Sequence, residues 1–159
     1  MRTLILMIGI PASGKSTFVD KISDEFNIPV VSSDYVRKNL YGDEAIQGNP
    51  EEVFDKVFEE VNHWIECDVC ILDATHCTRW SRWSAVAHVC PDQVFYILMD
   101  CNIKKAKEWN AARKRKVPDG VIDRMAKNLH KEFPKPNECC NLRIFNYDDP
   151  ELFEALKEL

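Results

Sequence analysis

Gly9-Ile10-Pro11-Ala12-Ser13-Gly14-Lys15-Ser16 has residue types and spacing that could do chemistry by themselves. Glycines bounding a tight turn, then a lysine and a hydroxyl, suit a loop whose backbone N–H groups converge on an anion. Lys15 would place a point charge on the outer phosphates, and the Ser16 hydroxyl would ligate Mg²⁺. The flanks supply the context. Thr3 to Ile8 is an apolar, strand-like run, and Thr17 to Ile22 continues with helical spacing. A strand, a glycine-bounded turn and a helix N-terminus together predict a nucleotide triphosphate site.

Three other segments carry chemical potential. Asp34 follows a short strand-like run, where a carboxylate could take a proton from an attacking hydroxyl. Arg37, one helical turn on, could hold an acceptor phosphate through a forked contact. The same pair also fits an N-cap aspartate beside a solvated arginine. Asp73-Ala74-Thr75-His76 follows the third strand, a place for a metal-orienting acid, and it lacks the apolar run ending in Asp-Glu of a water-activating ATPase. That leans toward transfer to a hydroxyl rather than hydrolysis. His76 could donate to a substrate oxygen or be a surface residue. Lys104 to Lys116 holds seven cations in thirteen positions, with Trp109 among them. It reads as a mobile lid supplying charge to a phosphoryl group in flight, against the plainer reading of a solvated helix face.

The elements that must position these residues follow from periodicity. Strands are expected at Thr3–Ile8, Pro29–Ser32, Val69–Asp73, Val94–Asp100 and Leu142–Phe145. Helices are expected at about Lys15–Phe26, Tyr35–Leu40, Glu51–Glu66, Thr78–Val89, Ile103–Lys116, Val121–Phe133 and Pro150–Leu159. The Glu51–Glu66 stripe is core. Alternating strands and helices predict an α/β fold with a parallel sheet flanked by helices, and ligands beyond the carboxyl ends of the strands. The expected fold class is a P-loop NTPase with a five-stranded parallel sheet and a helical lid, one domain over 1–159 with the lid at about 102–120.

Composition bounds the partners. The net charge of −5 gives no general attraction for nucleic acid, so any must come from a local patch. The short apolar run after Arg2 flows into the phosphate loop, unlike a secretory signal, and nothing nears the ~18 apolar residues of a membrane span. A cytoplasmic protein with no membrane partner is expected, its seven cysteines reduced. Cys67-x-x-Cys70 with Cys139-Cys140 is poor spacing for a zinc site, and idle thiols are expected. Oligomeric state is left open.

These residues resemble the kinase domain of bacteriophage and bacterial polynucleotide 5′-hydroxyl kinases, within a wider group of small P-loop kinases that includes zeta-toxin-like proteins. Gly9 to Thr17 resembles the family's G-x-P-G/A-S-G-K-S/T loop. Asp34-Tyr35-Val36-Arg37 resembles its D-x-x-R element, which implies Asp34 as general base and Arg37 as the clamp on the acceptor's 3′-side phosphate. Asp73-Ala74-Thr75-His76 resembles a D-x-T-N element with an arginine downstream, here Arg82, which implies Asp73, Thr75, His76 and Arg82 on the substrate side. Asn110 to Arg113 followed by Val117-Pro118 resembles the lid pattern R-N-x-x-R…V-P, which implies Arg113 as the lid arginine. Trp109 stands where the first lid arginine would be, and His76 where the asparagine would be.

The resulting expectation is an ATP- and Mg²⁺-dependent phosphotransferase acting on a 5′-hydroxyl RNA or DNA end. Gly9, Ile10, Pro11, Ala12, Ser13, Gly14, Lys15, Ser16 and Thr17 would bind the nucleotide, with Ser16 on the metal and Lys15, Asp34 and Arg113 catalytic. A small-molecule or nucleoside kinase of the same fold is the alternative, and a nucleotide-binding switch a more distant one.

Overall fold

The computed structural model describes residues 1–100 and 102–159; Cys101, one of the seven cysteines, lies outside them. In chain order the elements are β1 (Thr3–Ile8), α1 (Lys15–Phe26), β2 (Val30–Ser32), α2 (Ser33–Tyr41), α3 (Pro50–Ile65), β3 (Val69–Asp73), α4 (Arg79–Val89), β4 (Gln93–Leu98), α5 (Ile103–Ala112), α6 (Asp119–Lys131), β5 (Leu142–Asn146) and α7 (Pro150–Lys157).

The strands form one sheet in the order β2-β3-β1-β4-β5, every pairing parallel. β1 is central and buried along its whole length, which is why its sequence is a continuous apolar run rather than an alternating one. Its residues divide between two cores. Leu4, Leu6 and Ile8 pack with Val57, Val61 and Ile65 of α3, Ala85 of α4 and Ile122 of α6. Ile5 and Met7 face the opposite layer, made by Phe18, Val19 and Ile22 of α1 and Leu152 and Leu156 of α7. The chain runs from β1 out to β2, returns to β3 between them, then crosses to β4 on the other flank of β1. The direction of winding therefore reverses at β1, and the crevice at its carboxyl end is where a ligand fits in an open parallel sheet.

Several element ends differ from expectation for local reasons. β4 stops at Leu98, not Asp100, because its neighbour β1 ends at Ile8, opposite Leu98; Met99 N–H makes one more bond to the Ile8 carbonyl and the chain leaves the sheet. α5 ends at Ala112, not Lys116. Asn110, nearly fully buried, donates from Nδ2 to the Val117 carbonyl (2.6 Å) and accepts the Val117 N–H (2.9 Å). This two-way bond folds the chain back, so Arg113 is extended (φ −79°, ψ 151°). α6 starts directly after Pro118 and takes in Asp119 and Gly120, which read as a break. α2 starts at Ser33, which places Asp34 in its first turn rather than ahead of it.

Candidate active site

The loop joining β1 to α1 is the base of the site. Gly9 N–H donates to the Thr75 carbonyl at 3.0 Å, tying it to the end of β3. A Cβ at Gly9 would lie 2.9 Å from Ser13 Oγ and 3.0 Å from Met99 Cβ, so the loop can close this tightly only on glycine. Ala12 (φ 58°) and Gly14 (φ 89°) are left-handed, the geometry that turns successive N–H groups inward. No side chain caps α1, so its first N–H groups stay open to an anion. Ser13 Oγ is buried and without a hydrogen-bond partner among the described residues, an uncommon and costly state for a polar atom.

Lys15 is 9% exposed, and its Nζ donates to the Ile10 carbonyl at 2.9 Å. Burial lowers its pKa, and the nearby Asp73 and Asp34 carboxylates partly offset this. Asp73 shows the mirror image: burial raises its pKa, opposed by the Lys15 ammonium and by a hydrogen bond from Ser16. Ser16 Oγ donates to Asp73 Oδ2 at 3.2 Å. A hydroxyl and a carboxylate at this spacing are hard oxygen donors of the kind Mg²⁺ takes alongside water and phosphate oxygens. The residues therefore fit the metal that the loop implies.

Two cavities flank the loop. The smaller, about 530 Å³, lies on the side of β4 and β5. Ala12, Thr17 and Phe18 line it with Met99, Trp109 of α5 and Tyr147. Lys105 Nζ sits 4.6 Å from the Trp109 ring centroid, and a Cβ on Gly14 would meet the Trp109 ring at 3.6 Å. Trp109 thus packs over the phosphate loop at the position where the resembling family carries an arginine.

The larger cavity, about 950 Å³, reaches from Pro11, Lys15 and Ser16 past Asp73 and Thr75 to α2 and α6. It holds Asp34 and Arg37, one turn apart as their spacing predicted, with Arg37 Nη1 donating to Asp34 Oδ1 at 3.1 Å. Arg115, from the segment after α5, donates to Asp34 Oδ2 at 2.8 Å and lies 3.6 Å from Glu44. Arg37 Nε is buried and finds no partner among the described residues. Arg113 lines the same cavity, close enough for its charge to depress the Lys15 pKa. Sequence reasoning missed Arg124 and Asn128, which also line it from α6. Their i, i+4 spacing shows that they share a helix face; only packing decides which way that face points.

Two residues expected to contact substrate are packed inside the protein instead. Arg82 is fully buried and its guanidinium is occupied. It grips both carboxylate oxygens of Glu138 at 2.8 Å and donates to the carbonyls of His76 (3.0 Å) and Glu132 (2.6 Å). It stitches α4 to the end of α6 and the connector that follows. Burial alone would raise the Glu138 carboxyl, but Arg82 outweighs it and holds the pKa below the usual carboxylate range. Arg82→Met leaves Glu138 as a buried, unpaired charge, and chemical denaturation should read a loss of about 3–5 kcal/mol.

His76 is likewise buried, 3% exposed, with its Nδ1–H donating to the Met7 carbonyl at 2.9 Å. Burial pushes its pKa down to about 4 from an ordinary 6.5, with the Arg82 and Lys15 charges adding to the effect. Between those values the unfolded chain binds a proton that the folded chain refuses. Stability contributed by neutral His76 is therefore intact above pH 6.5 and falls, by up to about 1.4 kcal/mol per unit, as pH drops toward 4. His76→Asn, which tolerates the left-handed backbone here (φ 44°), should flatten that limb in melting curves taken across pH 4–7.

A glycine-bounded phosphate loop at the centre of a 2-3-1-4-5 parallel sheet, with helices on both faces, is the P-loop kinase fold. Residues 4–132 match the AAA_33 group of AAA domains, and the chain belongs to that family. No curated protein matches it in sequence. Among solved structures, Kti12 from Chaetomium thermophilum in complex with ADP-AlF3 superposes with a TM-score of 0.68 at 16% identity, covering 98% of this chain and 96% of the other. A gluconokinase from Sinorhizobium meliloti gives 0.63 at 15%, covering 99% and 89%. The structure of a Pnkp1/Rnl/Hen1 complex gives 0.59 at 24%, covering 67% of this chain and 38% of that one. At these identities the likeness is one of fold.

Proposed function

We propose that the protein transfers the γ-phosphoryl group of ATP to the 5′-hydroxyl of an RNA or DNA end. The observation that carries this reading is the Asp34 carboxylate facing Arg37 and Arg115 in a cavity continuous with Lys15, Ser16 and Asp73. A hydrolase or switch has no use for an acid between two arginines across from its phosphate loop. A kinase of a phosphorylated acceptor does: the arginines hold the acceptor's phosphate, and the acid faces the hydroxyl beside it.

In this reading Asp34 takes the proton of the acceptor hydroxyl as its oxygen bonds to the γ-phosphorus. The bond from that phosphorus to the β–γ bridging oxygen breaks, and ADP leaves. Lys15 and Arg113 stabilise charge on the transferred group. The N–H groups of the loop hold the triphosphate, and the smaller cavity beside Trp109 and Tyr147 takes the base. Ser16 and Asp73 would hold Mg²⁺, which when bound neutralises charge on the phosphates.

The acceptor is read as a polynucleotide because six cations, Lys15, Arg37, Arg113, Arg115, Lys116 and Arg124, line the larger cavity of an acidic chain against two carboxylates, Asp34 and Asp73. The test is transfer of labelled phosphate from ATP to 5′-hydroxyl RNA, 5′-hydroxyl DNA and a panel of metabolites. Transfer to oligonucleotides should weaken with rising salt, as counterions compete for the phosphate contacts. Transfer confined to metabolites, phosphorylated or not, would overturn the reading in favour of a small-molecule kinase.

A further inference from the structure

We infer that Trp80 and Trp83 form a stacking platform for bases of the acceptor strand that lie beyond its reactive end, which rests on the polynucleotide reading above. The two indoles, on α4, stack on each other with centroids 4.9 Å apart and planes 30° apart, yet remain 69% and 53% exposed. Adjacent large apolar side chains left this open to water are costly unless something covers them.

The placement identifies what covers them. α4 begins at the rim of the acceptor cavity: Thr78, its N-cap, and Ser81, in its first turn, both line that cavity. Trp80 is next to Ser81 in sequence and about 100° from it around the helix, so the platform starts where the cavity opens. Arg82 fixes the direction. Buried on the Glu138 side, it lies about 160° around the helix from Trp80 and pins α4 with the indoles facing water. Exposed Arg79 precedes them. A strand with its 5′ end at Asp34 that leaves past Thr78 and Ser81 meets these ring faces next. Indole faces bind any base by stacking, which suits an enzyme reading an end rather than a sequence.

The patch is too small to favour a protein partner. At those exposures the two indoles offer on the order of 300 Å², against about 800 Å² per side for a stable interface.

The test compares two acceptors in the full chain: a 5′-hydroxyl oligonucleotide of about eight nucleotides and the shortest acceptor the enzyme uses, sought from a nucleoside 3′-monophosphate upward. The double variant Trp80→Ala/Trp83→Ala should raise KM for the octamer about 5-fold or more for each base that loses its stack. KM for the short acceptor and for ATP should be unchanged. Trp80→Phe/Trp83→Phe should recover much of the octamer affinity. An unmoved octamer KM, or an equal rise for both acceptors, overturns the platform while leaving the kinase reading intact. A dimer in wild-type light scattering that the alanine variant abolishes, with octamer KM unmoved, assigns the surface to a second copy instead. If the wild type phosphorylates metabolites but no oligonucleotide, the polynucleotide reading itself fails and takes the platform with it.

Discussion

Asp34→Asn is expected to lower kcat for phosphate transfer by about 10²–10⁴-fold, the usual contribution of a positioned general base, while leaving ATP affinity alone. Its effect on acceptor binding is the sharper part. Both oxygens of Asp34 are engaged in the structure, Oδ1 by Arg37 at 3.1 Å and Oδ2 by Arg115 at 2.8 Å. A carboxylate offers about four lone-pair sites, so Asp34 can accept the hydroxyl proton with both arginines in place, while an arriving acceptor phosphate competes for the same guanidinium groups. The neutral amide competes less well. Acceptor KM should therefore stay level or fall while kcat collapses, a split that steady-state kinetics with a 5′-hydroxyl acceptor reads directly. A misfolded fraction would lower apparent kcat without moving either KM, so a melting temperature matched to wild type is the control that separates the two. A variant that transfers at the wild-type rate would remove Asp34 from the base role.

How far the site could be read in advance depended on the range of the contacts that build it. The phosphate loop is local: its glycines, lysine and serine are contiguous, and the strand and helix around it follow from their own periodicity. The Asp34–Arg37 pair is local too, since one helical turn sets it. Arg82 was legible as a residue but not as a role. An arginine on an amphipathic helix is normally solvated, and its partner Glu138 lies 56 residues away. The extent of α5 was not legible, for a subtler reason. Its basic run keeps helical spacing to Lys116, and nothing short of the folded chain shows that the Asn110 amide will capture Val117 and end α5 at Ala112. That early end matters to the proposed site: on a continued helix Arg113 and Arg115 would lie about 200° apart, whereas here both line the larger cavity.

Lys15→Met should separate activity from stability. Under the proposed reaction the ammonium stabilises charge on the phosphoryl group in flight, and its removal should lower kcat by at least about 10²-fold, as for other preorganised donors. Folding should respond differently. The Lys15 side chain is almost wholly buried with one carbonyl partner, and burying that charge opposes folding. Methionine fills similar space without it. The complication is Asp73, whose raised pKa is restrained by Lys15. Without the ammonium, the Asp73 pKa rises further above its unfolded value. A carboxyl raised on folding binds its proton more readily in the folded chain, so its contribution is full below the unfolded pKa and is lost as pH climbs through the folded one. The variant should therefore gain most over wild type in mildly acid solution and lose that advantage toward neutral pH. Melting temperatures of both proteins across pH 4–8 give the answer. A variant destabilised at every pH would mean that Lys15 supports the loop itself, beyond the phosphates the loop is built to receive.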